Sequence, residues 1–243
     1  IALDAQVVRI TGNQSIAGQK EFTGLVTMTD RLELSDALDN SFIGEDSGIA
    51  NTIGTSNVGF GRRSLYLNTT GNYNLALGII SLTNNTSGSI NISVGRQALV
   101  NNTEGRLNVG IGYLSLSGNT TGDGNIGLGN ESGTFILDGS THNQTGSNSI
   151  FIGEDTRANA DGETNQIVIG DTAIGEGSNK VVLGNNSITD TYLKGHIRGN
   201  GAATFASSVS AGGDIISTGT SFIGGAITSS YTPNDGVFGG KIT

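Results

Sequence analysis

Residues 57–73, NVGFGRRSLYLNTTGNY, and residues 74–90, NLALGIISLTNNTSGSI, are two copies of one pattern, and they align without a gap. Each runs Asn, apolar, small, apolar, Gly, then two variable residues, Ser-Leu, and later Asn-Thr-x-Gly. Outward from this pair the same 17-residue period holds Gly44, Gly61, Gly78, Gly95, Gly112 and Gly129 in register. It also holds Asn40, Asn57, Asn74, Asn91, Asn108 and Asn125, four residues before those glycines. A second set shares the period: Gly54, Gly71, Gly88, Gly105 and Gly122, with Asn51, Asn68, Asn85, Asn102 and Asn119 three residues earlier and Thr52, Thr69, Thr86, Thr103 and Thr120 beside those asparagines. A fixed repeat of this length marks stacked structural units rather than a globule.

The centre of the unit alternates with a period of two, as in Leu75-Ala76-Leu77 and Ile92-Ser93-Val94, which predicts a strand and excludes a helical spacing. Leu65, Leu82, Leu99 and Leu116 predict a second short strand before the turn-forming Asn-Thr-x-Gly. Two strands and two turns in seventeen residues make one coil of an all-β parallel β-solenoid, each strand pairing with its equivalent about 4.8 Å away in the next coil. The repeated Asn57, Asn74, Asn91, Asn108 and Asn125 are then structural ladders bonding amide to amide. Gly61, Gly78, Gly95, Gly112 and Gly129 are corners with φ > 0.

The period breaks after Gly129. The motif returns as Ile150-Phe151-Ile152-Gly153, Ile167-Val168-Ile169-Gly170 and Val181-Val182-Leu183-Gly184, with a large middle residue. Gly129 to Gly153 spans 24 residues, so a loop is inserted near 134–146, and Gly170 to Gly184 is a shortened coil of 14. The expected organisation is an N-terminal fibre or shaft flank at 1–39, the repeat domain at 40–189 and a C-terminal β flank at 190–243. The flanks carry short alternating stretches with too little apolar area to fold alone, and are expected to intertwine with copies of themselves.

Composition agrees with an ordered rod built from small residues. Glycine numbers 40, yet there is a single Pro233, which keeps the chain out of low-complexity disorder. The net charge of −9 comes from scattered acids, which argues against nucleic acid and anionic membranes as partners. Cysteine is absent and no apolar run is long enough to span a bilayer, so packing and repetition must supply stability and no membrane insertion is expected. Residue 1 is Ile rather than Met, as expected of a fragment or a processed chain.

The segments NVGFGRRSLYLNTTGNYNLALG and NVGIGYLSLSGNTTGDGNIGLG resemble the head repeats of trimeric autotransporter adhesins and the related repeats of phage tail fibres. SIAGQKEFTGLV and GAATFASSVSAGGDI are similar to segments that flank such repeats in tail fibres. The resemblance covers residues 40–184 and, more faintly, the flanks. It implies a homotrimer of left-handed β-rolls, located in the virion as an extracellular tail fibre that mediates host attachment. Partners would be other fibre or baseplate proteins and a host surface glycan or protein. A trimeric adhesin on a bacterial cell surface is the alternative. The 17-residue unit is longer than the adhesin repeat, and neither a coiled-coil stalk nor a membrane anchor is visible in the sequence, which favours the fibre.

No catalytic, metal or cofactor site emerges. His142 and His196 are the only histidines and have no Ser-Asp constellation at a useful spacing. Glu154, Asp155, Asp161 and Glu163 form the densest acidic cluster, which a polysaccharide depolymerase on a trimeric β-solenoid would need as paired carboxylates. A solvated loop is the favoured explanation, and the chain is read as a non-enzyme. The single Thr ladder, lying in a turn, makes a poor ice-binding face. Gly59, Ala76, Ser93, Gly110, Gly127, Phe151, Val168 and Val182, never polar enough for a water-facing side, are expected to point at the three-fold axis of the trimer.

Overall fold

The computed structural model describes residues 36–192 and Lys194. They contain nine strands of three residues each: β1 Ser41–Ile43, β2 Val58–Phe60, β3 Leu75–Leu77, β4 Ile92–Val94, β5 Val109–Ile111, β6 Ile126–Leu128, β7 Ile150–Ile152, β8 Ile167–Ile169 and β9 Val181–Leu183. All nine form one sheet in sequence order, every pair parallel. The register follows the repeat, with Leu75 opposite Ile92, and absorbs the insertion at Ile126 opposite Ile150 and the short coil at Ile167 opposite Val181. The fold is the expected all-β parallel solenoid, with no helix among the described residues. Most of residues 1–39 and 190–243, and with them the expected intertwining of the flanks, lie outside the described residues.

Three residues per coil would be a slender sheet, but coil-to-coil hydrogen bonds continue around the whole circuit. One coil donates to the next from the strand (Val58 N to Asn74 O, 2.8 Å), from the opposite wall (Leu65 N to Ser81 O, 3.1 Å) and from the far turn (Thr69 N to Thr86 O, 2.9 Å). Others run to the preceding coil, such as Gly61 N to Ile43 O at 2.8 Å. The backbone groups that a non-strand turn leaves unpaired are thus paired by repetition.

The second apolar station is not a strand. Leu65, Leu82, Leu99 and Leu116 hold left-handed conformations, with φ of 51°, 49°, 49° and 50°, and their side chains are buried. Seventeen residues must turn through a full circuit, and an extended segment here would carry the wall away from the strand. The left-handed kink costs about 1–2 kcal/mol for a residue with a Cβ and is offset by complete burial of the leucine.

The trimer-face assignment is also corrected. Ala76, Ser93, Phe151 and Val168 are 0% exposed within a single chain, and Val182 packs against the same core. Gly59, Gly110 and Gly127 are buried with them. These positions point into the coil, and those of β2 to β6 are small because the coil is thin there. A Cβ on Gly59 would lie 2.7 Å from Ser47 Oγ and 2.9 Å from Ser64 Oγ; on Gly127, 2.6 Å from Ser115 Oγ and 2.7 Å from Leu116 Cγ. In the later coils the volume changes sides. Phe151 and Val168 fill the lumen from the strand, and Ala158 and Ala173 stand on the opposite wall in place of leucine.

Candidate interaction surfaces

The inward asparagines form two continuous ladders. Asn74 Nδ2 donates to Asn57 Oδ1 (3.1 Å) and to Gly88 O (2.8 Å), while Asn74 N donates to the same Asn57 Oδ1 (3.0 Å). Asn91 repeats this on Asn74, and Asn108 and Asn125 donate their backbone N–H groups to the preceding amide oxygen. The second ladder joins Asn85 to Asn68 at 2.7 Å and Asn102 to Asn85 at 2.8 Å. All of these amides are buried and satisfied on both ends, so they hold coils together and offer nothing to a ligand.

The glycines differ in kind. Gly61, Gly78, Gly95, Gly112 and Gly129 take φ between 133° and 143°. The Gly54-to-Gly122 column has no such φ. It needs glycine because a Cβ on Gly71, for example, would strike the carbonyl oxygen of Gly88 and the amide of Asn68.

The acids called a cluster in the sequence are each occupied separately. Asp155 pairs with Arg157, Glu154 accepts from Asn130 Nδ2 (3.2 Å), and Asp161 accepts from the backbone N–H of Gln144 (2.7 Å) and Thr145 (2.8 Å). Glu163 accepts from Asn159 N and Ala160 N, both at 3.1 Å, and from Gln166 Nε2 at 3.0 Å. They cap turns. His142 lies against the Phe135 ring at 5.4 Å, and His196 is outside the described residues. Among the described residues no three of His, Asp and Glu gather in a way that would hold a metal, and no helix is long and apolar enough to cross a membrane.

What the sequence reading missed is the outward face of the sheet. Each strand presents two side chains away from the coil, and among all nine strands only Ser41 is polar at these positions. Phe60 is 56% exposed, Leu128 45% and Val181 63%. Tyr73, Ile90 and Leu107, just ahead of β3, β4 and β5, form a further exposed apolar column. At the parallel-strand spacing the stripe is about 40 Å long. The signal was present in the alternation, since apart from Ser41 and Ser93 both phases of the strands are non-polar, but periodicity alone does not say which phase is inside.

The inserted residues form a small hairpin, with Phe135 and His142 paired in antiparallel fashion. Its tip is ordered by Asp138, which accepts from Thr141 Oγ1 at 2.6 Å and from the N–H groups of Thr141 and Ser140; these bonds hold its carboxyl down at about 2. Beside the hairpin runs a groove of about 450 Å³ lined by Leu67, Asn84, Asn101, the Thr86-Thr103-Thr120 column, His142 and Gln144.

Residues 3–27 match a family model described as the lower baseplate protein N-terminal domain. The N-terminal stretch is similar to a baseplate module. The match lies outside the described residues and ahead of the solenoid. No curated protein and no solved structure matches the chain. A baseplate-like N-terminal stretch followed by a β-solenoid fits a structural protein of a phage tail or baseplate, associated with other tail or baseplate proteins in the virion.

Proposed function

We propose that the chain is a homotrimeric fibre segment of a phage tail or baseplate that attaches the virion to its host, with three copies packing the outward apolar faces of their sheets around a common axis. The observation that carries this reading is the unbroken apolar stripe along β1 to β9. Monomeric proteins rarely leave so continuous an apolar surface in water. A closed cyclic arrangement covers it without open-ended association, and three is the number that the repeat resemblance implies. The baseplate-like residues 3–27 supply the attachment to the particle, leaving the solenoid to project from it.

Light scattering on the full chain should give a mass of three protomers. Ile152→Asp and Ile169→Asp each place a carboxylate in the proposed interface and should yield monomers that keep their β circular dichroism. Wild-type monomers at micromolar concentration would defeat the proposal. We also hold that the segment performs no hydrolysis, because each member of the acidic cluster is engaged separately by its own partner within the chain. Capsular polysaccharide incubated with the chain should keep its chain length. Cleavage that disappears in Asp155→Asn would reinstate the depolymerase.

A further inference from the structure

The 17-residue period fails at one place where the chain gains residues, and the groove lies against that place. The column Leu67, Asn84, Asn101 ends at Gly118, where a Cβ would lie 2.9 Å from His142 Cβ and against the Thr134 carbonyl. The hairpin therefore stands against the end of the column and bounds an open furrow along the solenoid. The His142 ring packs against the Phe135 ring, with centroids 5.4 Å apart. A volume of about 450 Å³ falls within the range of small-molecule sites, roughly 300–1,000 Å³.

The chemistry of the lining is selective. No carboxylate, ammonium or guanidinium group contributes to it. The Thr86, Thr103 and Thr120 hydroxyls donate their protons along the ladder, to Thr103 O (3.0 Å), Thr120 O (3.1 Å) and Gln144 O (3.1 Å), so each presents lone pairs outward. Asn101 Nδ2 uses one proton on Ser117 O (2.9 Å) and Asn84 Nδ2 one on Asn101 Oδ1 (3.3 Å), which leaves one N–H on each. The Gln144 side chain is exposed and makes no hydrogen bond. Leu67 and His142 line the same groove and add carbon surface to it. Alternating acceptors, amide donors and carbon surface, repeated at a rung spacing of about 4.8 Å, match a chain of pyranose rings, each with hydroxyl edges, a C–H face and a length close to one rung.

We propose that the groove between Asn84, Asn101, Thr103, His142 and Gln144 binds a short stretch of neutral polysaccharide. This rests on the attachment reading above and gives it a receptor class. The test uses the full chain, fluorescently labelled, on an array of neutral and anionic oligosaccharides, followed by calorimetry on the best neutral binder and by adhesion to a panel of bacterial strains. Neutral oligosaccharides should bind, and Gln144→Ala and His142→Ala should each weaken the best by about tenfold, Gln144→Ala with an unchanged melting temperature. Gln144 has no internal partner, so its variant tests binding without a folding penalty. Failure of every neutral sugar, preference for anionic ones, or binding indifferent to both variants would overturn the groove. If wild type and variants adhere equally to cells, attachment stands and the groove falls. If wild type binds the sugar, weakened by the variants, yet adheres to no strain, the groove stands and attachment falls.

Discussion

At the scale of the residue, two glycine columns and two asparagine columns repeat with the same period and do different work. Gly78 sits at φ 143°, a region that side chains avoid, and an added Cβ would lie 2.7 Å from the carbonyl carbon of Gly95. Gly78→Val should cost at least about 1–3 kcal/mol, read as a lowered melting temperature. An unchanged melting curve would contradict the corner. The repeat made these glycines legible as obligatory. It did not separate the columns, because a glycine required by dihedral angle and one required by close approach look alike in sequence. Nor did it show that Leu65, Leu82, Leu99 and Leu116 bear left-handed backbone, a conformation that bulky side chains resist and only tertiary burial compensates.

At the scale of the coil, the lumen has a fixed width shared between the strand and the facing wall. Strands β2 to β6 put glycine, alanine or serine in the lumen, with Leu65, Leu82, Leu99 and Leu116 opposite; β1 puts Phe42 there with Gly48 facing it, and β7 and β8 put Phe151 and Val168 there with alanine opposite. Gly110 shows the trade directly, since a Cβ there would lie 3.1 Å from Leu99 Cγ. Gly110→Ala alone should destabilise by roughly 1–3 kcal/mol through overpacking, and Leu99→Ala alone by roughly 2–5 kcal/mol through a cavity. The double variant should lose less than the sum, by about 0.5–3 kcal/mol, because the new methyl takes up part of the vacated space. Additive losses in denaturant titrations would mean that the two positions do not share the lumen.

At the scale of the whole molecule, each coil contacts only its neighbours, and stability builds by stacking along one direction. A stripe of apolar side chains then runs the length of the sheet, and its covering decides whether the rod exists alone. If association stabilises the folded chain, the melting temperature must rise with protein concentration by mass action. We expect an upward shift in wild type over a hundredfold range of concentration, and none in Ile169→Asp. A concentration-independent wild type would mean that the stripe is not an interface.

The solenoid, its register and the site of its insertion were determined by the sequence alone, because a strict period forces equivalent residues to stack whatever their side chains do. The pairings of Leu75 with Ile92 and of Ile126 with Ile150 follow from counting. Which phase of each strand faces inward was decided only by the tertiary structure. Both phases are almost entirely non-polar, so hydrophobic patterning is silent, and the choice falls to the wall opposite, whose leucines and serines leave room for Gly59 or Ala76 but not for Phe60 or Leu77. The groove was likewise invisible in one dimension, because its amides, hydroxyls and ring come from residues as far apart as Leu67 and Gln144, joined only when the coils stack.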